Sequence, residues 1–342
     1  MSLFQFMRYF GSKSFTAATV ETRALEFLSV GSRGGTVCDP FGGIGMIASA
    51  FKRAGWRVTV ADHLLFPHYY QRARLDSSKN LKFSVLISHL NLASTAEIEA
   101  YLNAFPPLSG WITEEFSIRR GFFTPSNAAK IDAVWMEIKA WSAGGIINDH
   151  EYVFLISSLI DSFDRVANTA GTYYAYLKDK TRRALHDFKF KFLTQVDGPF
   201  DVDCRHQEAI STVDSGNFDV LYLDPPYSSR SYDRYYHLPQ TVAAGVDSKA
   251  IGISGVPDRL PIKSKFESPR TAERALSDLV DAARCSILMV QYADGGLISL
   301  DRIKKILEAR GSVNETRINT IGYTTQHHSR ATQHSLFVVT DA

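Results

Sequence analysis

A short apolar run that stops at two prolines is the feature that most limits how this chain folds. Residues 218–223 (FDVLYL) are predicted to form a buried strand. Asp224-Pro225-Pro226-Tyr227 follows, and the prolines end the strand and fix a turn. In open α/β sheets, ligands bind beyond the carboxyl ends of the strands. The pattern therefore predicts one carboxylate and one aromatic ring at a ligand-binding edge.

These residue types suit a planar amine as the ligand. The Asp224 carboxylate and a proline carbonyl accept hydrogen bonds, so they can hold the hydrogens of an amine. The Tyr227 ring can stack on the heterocycle that carries this amine. The arrangement favours methyl transfer to the exocyclic amine of a base. The alternative is that Asp-Pro-Pro forms a turn without a chemical role.

A second motif predicts the binding site of a cofactor. Residues 36–46 (TVCDPFGGIGM) read as a strand and a glycine turn, and a helix over 46–54 follows. Glycines let the backbone approach a ligand closely, and a helix amino terminus offers free N–H groups to a carboxylate. The turn lacks the glycine spacing of dinucleotide-binding loops and the lysine of phosphate-binding loops.

The next predicted strand, residues 57–62 (RVTVAD), ends in an acid. An acid at this place commonly binds sugar hydroxyls, although Asp62 could instead cap a helix. The glycine turn suits a carboxylate, and the acid suits a ribose, but neither motif is of a phosphate-binding kind. These features together favour S-adenosylmethionine over NAD or ATP.

Three motifs together resemble a known family. Residues 39–45 and 224–227 are similar to motifs I and IV of the amino-methyltransferases that modify DNA, and residues 8–13 (RYFGSK) are similar to their motif X. The order motif X, motif I, insertion, motif IV is that of the alpha class, which includes the Dam-like or D12 enzymes. The chain looks most like the branch related to the adenine methylase that accompanies the FokI endonuclease. Further segments that resemble this branch are residues 122–128, 165–178 and 230–238.

Two segments depart from the pattern of the family. Residues 291–298 (QYADGGLI) replace a stretch that usually contains Ser-Tyr-Asn, and residues 323–330 (YTTQHHSR) stand where an arginine-rich pattern is expected. The recognition sequence therefore cannot be transferred from a relative.

The resemblance implies methylation of the N6 amine of a flipped-out adenine in double-stranded DNA, by direct in-line transfer and without a covalent enzyme intermediate. The implied catalytic residues are Asp224, Pro225, Pro226 and Tyr227. The implied cofactor-binding residues are Tyr9, Lys13, Asp39, Phe41, Gly43, Gly45, Asp62 and Cys204. The predicted DNA contacts are Arg230, Tyr232, Lys178 and Arg182.

Composition narrows the class of protein without selecting the function. Apolar residues make up 45% and charged residues 22% of the chain, as in ordinary globular proteins. The three cysteines show no metal-ligand spacing, which favours a reducing cytoplasm and no metal site. No apolar run is long enough to span a membrane, and the first residues lack a secretory signal pattern.

A net charge of +2 is uninformative about nucleic acids, so the clustering of charge matters more. Lysines and arginines concentrate over residues 178–183, and residues 188–192 (FKFKF) alternate as in a strand with one basic face. Such clusters are either solvated surfaces or phosphate contacts.

The alternation of strands and helices predicts a doubly wound, Rossmann-like α/β fold with a helical insertion. Residues 1–95 and 196–342 are assigned to the catalytic domain, and residues 96–195 to the insertion, which is a candidate DNA-contacting region. Residues 245–275 are a possible target-reading segment. The resemblance implies a seven-stranded sheet. Other predicted elements are helices over 131–141, 155–166 and 297–309, and strands over 286–290 and 335–339.

Two alternatives remain open at this stage. The first is an amine methyltransferase that acts on cytosine or on RNA, although Asp rather than Ser before Pro-Pro-Tyr favours adenine. The second is an inactive subunit that binds DNA and confers specificity. A cognate restriction endonuclease is a possible partner, since such methylases either protect DNA from one or act alone.

Overall fold

The computed structural model describes residues 7–9, 16–27, 34–76, 81–259, 261–325 and 328–340. Within these ranges the strands are β1 (Thr36–Asp39), β2 (Arg57–Asp62), β3 (Asp203–His206), β4 (Phe218–Leu223), β5 (Ala250–Ile251), β6 (Val256–Pro257), β7 (Cys285–Ala293), β8 (Ser312–Thr325) and β9 (His328–Thr340).

The α-helices of the same ranges are α1 (Ala17–Phe27), α2 (Met46–Arg53), α3 (Leu65–Leu75), α4 (Ser84–Leu90), α5 (Ala96–Ala104), α6 (Trp111–Thr113), α7 (Pro125–Ala143), α8 (Asp149–Asp164), α9 (Ala209–Asp214), α10 (Tyr232–Tyr235), α11 (His237–Ala244), α12 (Ala272–Ala282) and α13 (Leu300–Glu308).

The chain divides into two compact units, each assembled from three segments. The helical unit consists of Met1–Phe10, Arg72–Gln195 and Tyr232–Leu260. The sheet unit consists of Gly11–Gln71, Val196–Ser231 and Pro261–Ala342. The domain boundaries that we expect from the sequence, after residues 95 and 195, remain a prediction.

The sheet unit contains a seven-stranded sheet in the order β3-β2-β1-β4-β7-β9-β8. Strands β3, β2, β1, β4 and β7 run parallel to one another. Strand β9 runs antiparallel to both β7 and β8. The seven strands implied by the resemblance are confirmed. The strands predicted at the start of residues 36–46, over 57–62 and over 218–223 are also confirmed, and most of their apolar residues are buried as in a parallel sheet.

Helices cover both faces of this sheet. On one face, apolar residues of α9, α12 and α13 pack with Cys38, Leu221 and Leu288. Successive residues of a strand point to opposite faces, so Val37 and Val220 face the other side, where α2 contacts β1 and β2. Helices on both faces of a mainly parallel sheet confirm the predicted doubly wound class.

The helical unit centres on α7 and α8, which pack together. Thr124 caps α7 by accepting the N–H of Asn127, and Pro125 occupies its first turn. Asn148 and Glu151 form a reciprocal capping box at the start of α8. The helices predicted over 131–141 and 155–166 are therefore confirmed, although α8 ends at Asp164.

Residues 188–192, which the alternation predicts as a strand, do not form one. The burial does alternate as predicted, since Phe188 and Phe190 are buried while Lys189 and Lys191 are exposed. However, the backbone of this extended segment bonds to side chains of helices instead of to another strand. We call residues 186–193 the strap.

Helix side chains bind the strap in pairs of hydrogen bonds. The Asn127 amide accepts the N–H of Phe188 at 2.8 Å and donates to the carbonyl of His186 at 2.9 Å. The Asn103 amide accepts from and donates to Phe190 at 2.8 and 2.9 Å. Three further strap N–H groups bond to Ser162, Glu99 and Ser158. These bonds take up many of the strap's backbone groups without a partner strand.

Helix α13 starts at Leu300, three residues later than predicted, because Ser299 caps it by accepting the N–H of Arg302. None of the helices in the described ranges has the length and apolar character that a membrane span requires.

We predict that Asn127→Ala destabilises the protein through the strap. The side chain is buried, and its loss leaves a buried N–H and a carbonyl without their partners. The free energy of unfolding, measured by urea denaturation, should fall by about 1–3 kcal/mol. Lys189→Ala, which truncates an exposed strap side chain, should change it by less than about 0.5 kcal/mol. Equal effects of the two substitutions would contradict this account.

Candidate active site

The carboxyl ends of the parallel strands bring the predicted catalytic and cofactor-binding residues of the sheet unit to one edge. Asp39 ends β1 and Asp62 ends β2, and Asp62 lies opposite His206 at the end of β3. Asp224 follows the last residue of β4. Since these strands are parallel, their carboxyl ends share one edge of the sheet, as predicted.

The glycine turn after β1 is held by one backbone hydrogen bond to β2 and one within the turn. The N–H of Gly42 donates to the carbonyl of Ala61 at 2.9 Å, and that of Gly45 to the carbonyl of Gly42 at 2.8 Å. Gly43 and Gly45 have positive φ angles of 49° and 75°, which explains why glycine suits both positions. Gly45 also caps the amino terminus of α2.

Asp62 joins this turn to the end of β2. Its carboxylate accepts the N–H of Gly43 at 3.1 Å and the N–H of Leu64 at 2.9 Å. Burial raises the pKa of Asp62, while the charge of His63 and these two hydrogen bonds act in the opposite direction. Helix α3 begins only at Leu65, so Asp62 holds the loop rather than capping the helix directly. Each carboxylate oxygen can accept a second hydrogen bond, which a hydroxyl could donate.

Gln71 supports the same turn from α3. Its side-chain amide donates to the carbonyl of Gly43 at 2.9 Å, and the side chain is fully buried. Sequence reasoning missed this residue because a glutamine within a helix carries no motif. It also missed Gly42, where an added Cβ would lie 2.2 Å from the side chain of Val60.

Asp39 and Phe41 line the start of the turn. Asp39 is buried, and its Oδ1 accepts the N–H of Phe41 at 3.2 Å. The Phe41 ring meets Phe266 edge to face, with 5.1 Å between ring centroids. Cys204 lies in β3 opposite Val60 and is half-buried. These residues sit where a cofactor-binding role would require, and that role remains a prediction.

Asp224 and Tyr227 are half-buried at the end of β4, while Pro225 between them is buried. The Tyr227 carbonyl accepts the N–H of Leu297 at 3.0 Å, which anchors the turn to the segment after β7. Beneath the turn, burial raises the pKa of Tyr222, and the negative charges of Asp224 and Asp39 raise it further. Two carboxylates therefore contribute negative potential at this edge, which suits a reaction that develops positive charge.

The thiol of Cys38 is shielded from a ligand at this edge. It is fully buried in β1, and burial raises its pKa. Among the residues that the structure describes, no three His, Cys, Asp or Glu side chains are grouped as metal ligands.

In the helical unit, Tyr9 of motif X meets residues that follow motif IV. Its ring stacks on Tyr236 with 4.8 Å between centroids and is tilted against Tyr232 at 6.0 Å. The neighbouring Arg8 forms an ion pair with Asp164 and donates to the carbonyl of Thr169 at 2.7 Å. Lys13, the other motif X residue predicted to bind the cofactor, lies outside the described residues.

The basic stretch over 178–183 divides into two pairs. Lys178 and Arg182 are exposed, as DNA contacts require. Lys180 donates to the carbonyls of Gly121 and Phe123 at 2.8 and 2.9 Å, and Arg183 donates to the carbonyl of Ala167 at 2.7 Å. Burial lowers the pKa of Lys180 and of Arg183. The second pair therefore supports loops of the helical unit.

Two residues of the family-like segments are structural. Asn168 is fully buried, and its amide bonds to the backbone of Gly121, Leu177 and Thr181. His237 is also buried and lies 2.8 Å from the carbonyl of Tyr173, with its pKa lowered to about 4 by burial. In the sheet unit, Arg230 is exposed, and its predicted DNA contact remains a prediction.

Comparison with known proteins identifies the family of these motifs. A model of the family described as D12 class N6 adenine-specific DNA methyltransferase matches residues 9–273. Modification methylase StsI of Streptococcus sanguinis is 28% identical over 304 residues, which cover 88% of this chain and 46% of StsI. Type II methyltransferase M.FokI of Planomicrobium okeanokoites is 27% identical over 322 residues, which cover 93% of this chain and 49% of M.FokI.

Type II methyltransferase M.NlaIII of Neisseria lactamica is 26% identical over 309 residues, which cover 89% of each chain. The chain thus spans about half the length of StsI and M.FokI but most of M.NlaIII.

We predict that Gly42→Ala disturbs the glycine turn. The new Cβ would lie 2.2 Å from Val60 Cγ2 and 2.8 Å from Gln71 Nε2, so the loop or β2 must shift. Overpacking of this kind should lower the free energy of unfolding by about 1–3 kcal/mol, measured by urea denaturation. Gly216→Ala is the control, because its Cβ would meet only the ring of Phe218, at 3.3 Å. The account fails if the two variants unfold at the same urea concentration.

Proposed function

We infer the function from the family of this protein: the chain belongs to the D12 class N6 adenine-specific DNA methyltransferases. We propose that it methylates the N6 amine of an adenine at a specific site in double-stranded DNA. The observation that carries the proposal is the single sheet edge on which Asp224-Pro-Pro-Tyr lies beside the glycine turn after β1. The Asp224-Pro-Pro-Tyr turn suits the amine, and the glycine turn suits a methyl donor.

The residues around the glycine turn fit S-adenosylmethionine as the cofactor. Asp39 and Asp62 offer carboxylate oxygens to an ammonium group and to ribose hydroxyls. Gly43 and Gly45 leave the loop without side chains at positive φ, and the N-terminus of α2 suits a carboxylate. When bound, this cofactor supplies a methyl group attached to a positively charged sulfur. Tyr9, Phe41 and Cys204 are the further cofactor contacts that we propose.

The Asp224 carboxylate and the Pro225 carbonyl would each accept a hydrogen bond from the adenine amine. The amine nitrogen then approaches tetrahedral geometry, and its lone pair becomes available for attack on the methyl carbon. Methyl transfer would form a nitrogen–carbon bond and break the sulfur–carbon bond of the donor, whose sulfur would keep the electron pair. The amine subsequently loses one proton, for which water can serve as acceptor. Alignment and the negative potential of the two carboxylates supply most of the rate enhancement.

The base must leave the double helix to reach this edge, at an unstacking cost of a few kcal/mol. The Tyr227 ring would recover part of that cost, because stacking on an aromatic side chain contributes about 1–3 kcal/mol per base. Cys38 is buried, so the chain offers no thiol at β1 for the covalent route that ring-carbon methylation uses.

We propose that DNA phosphates contact the exposed Lys178 and Arg182 and that Arg230 and Tyr232 lie near the target base. Within residues 245–275, strands β5 and β6 pair into a hairpin. Buried Arg120 donates to the carbonyls of Gly252 and Ala250 at 3.0 and 3.1 Å, which fixes this hairpin. Its tip carries Ile253, the side chain of which is 80% exposed. A fixed hairpin with an exposed apolar tip suits target reading, which we assign to this segment.

The assignment of residues 1–95 and 196–342 to catalysis and of 96–195 to DNA contact is part of the same proposal. StsI and M.FokI are named as a modification methylase and a type II methyltransferase, which supports a restriction–modification system with a cognate endonuclease. We propose that the reaction takes place in the cytoplasm, with the DNA substrate.

We predict that methylation depends on the charge of Asp224. Methylation sequencing of bacterial DNA should find N6-methyladenine in one sequence motif in cells that express the intact chain. Asp224→Asn keeps the shape of the side chain but removes its charge, and should lower kcat by about 10²–10³-fold. Binding of S-adenosylmethionine, measured by calorimetry, should be retained. Asp214→Asn, at an exposed acid in the same unit, should be fully active.

The outcomes separate the alternatives. Unmethylated adenine, from a folded chain that binds S-adenosylmethionine, would reject the adenine substrate in favour of cytosine, RNA or a missing subunit. An Asp224→Asn variant as active as the intact chain would refute the assigned role of this carboxylate.

We predict that Lys178→Ala/Arg182→Ala weakens DNA binding through lost phosphate contacts. Each contact contributes about 0.9 to the slope of log K against log salt, so the double variant should reduce the slope by about 2. Fluorescence anisotropy with a labelled duplex at four salt concentrations measures this. Lys304→Ala/Lys305→Ala, which removes two exposed charges from α13, is the charge-matched control. Equal slopes for both double variants would exclude the proposed contacts.

A further inference from the structure

A buried chain of polar side chains runs behind the Asp-Pro-Pro-Tyr turn. The Tyr222 hydroxyl donates to Gln291 Oε1 at 2.8 Å, and Gln291 Nε2 lies 3.4 Å from His334 Nδ1. All three side chains are at least 97% buried. Buried polar groups destabilise a fold unless they are hydrogen-bonded, so this set is held in one arrangement.

The three residues lie on three adjacent strands, β4, β7 and β9. The strand register fixes their heights, because Tyr222 pairs with Met289 and Ala293 pairs with His334. The chain of side chains therefore crosses the sheet just before its carboxyl edge. It starts at the residue two positions before Asp224 and ends at the ring that contacts Tyr227.

The Tyr227 ring is held by two neighbouring rings. His334 meets it edge to face, with 5.4 Å between centroids and 86° between planes. Tyr292 meets it in the same way at 6.2 Å and 78°. Gly296 packs closely against both tyrosines, since a Cβ there would lie 2.5 Å from the Tyr292 ring and 3.1 Å from Tyr227 Cβ. Edge-to-face contacts are directional, so movement of His334 would change the orientation of Tyr227.

We propose that Gln291 and His334 are positioning residues that fix the plane of the Tyr227 ring for stacking on the target base. The inference rests on the proposed function, in which Tyr227 receives that base. Gln291 orients His334 by donating its amide hydrogen to Nδ1, which requires the proton of the imidazole on Nε2. Tyr222 in turn orients the Gln291 amide by donating to its oxygen. The orientation of the base thus depends on two residues that do not touch it.

The first test observes Tyr227 without any substrate. Protein labelled with ¹³C-tyrosine gives ring signals by NMR, and Tyr227→Phe assigns those of Tyr227. His334→Leu should shift or broaden the Tyr227 ring signals, and His334→Phe, which preserves an aromatic edge, should restore a single sharp set. Unchanged Tyr227 signals in folded His334→Leu would overturn the positioning role, whether or not the chain methylates DNA.

The second test asks whether His334 acts through Tyr227. His334→Leu should lower kcat by up to about 100-fold, as expected for a misplaced reacting group, and should leave the dissociation constant of S-adenosylmethionine unchanged. In a variant that already carries Tyr227→Ala, the same substitution should not lower kcat further. Independent, multiplying losses would mean that His334 is merely structural, which would reject the proposal.

A third variant removes the link between Tyr222 and His334. Tyr222→Phe/Gln291→Leu replaces both partners of the Tyr222–Gln291 hydrogen bond with apolar side chains, and it also removes the Gln291 amide that donates to His334 Nδ1. It should reproduce the Tyr227 NMR change and the loss of kcat seen with His334→Leu. If the unsubstituted chain leaves adenine unmethylated, the proposed function is refuted but the positioning role is not. The NMR measurement still decides whether these residues position Tyr227.

Discussion

The interaction on which the candidate site most depends is the buried carboxylate of Asp62. A carboxylate removed from water is costly, and here two backbone N–H groups offset that cost. One of them belongs to the glycine turn after β1 and the other to the segment that leads into α3. The same group therefore ties the ends of two neighbouring strands together. The position of the glycine turn, and with it the proposed cofactor site, follows from this arrangement.

Much of the sheet unit could be predicted because its signals are local. Strands β4 and β7 are centred on short apolar runs, and the residues that directly follow β1 and β4 form motifs of consecutive residues. Parallel pairing then brings these ends together without further information. The link between Gln291 and His334 could not be predicted, since it joins residues 43 positions apart that carry no motif. The contact between Gln71 and Gly43 could not be predicted either, since these residues are 28 positions apart and Gln71 belongs to no motif.

The helical unit was less predictable because side chains satisfy its backbone. Phe188 to Phe192 alternate like a strand, yet Asn127 and Asn103, which bind them, lie 61 and 87 residues away. Asn168 bonds to three backbone segments in a similar way. Family-like segments in this unit thus include residues that shape loops, so similarity to a methylase motif does not by itself indicate contact with DNA or cofactor.

The strap also bears on the order in which the helical unit assembles. Its backbone partners come from α5, α7 and α8, so its full set of hydrogen bonds requires all three helices to be in place. A β-strand can pair with one neighbour at a time, but this segment docks onto a surface that must already exist. We therefore expect the strap to join the helices late during folding. Local opening of the strap would release its amides to hydrogen exchange as a group, while the helices beneath it stay protected.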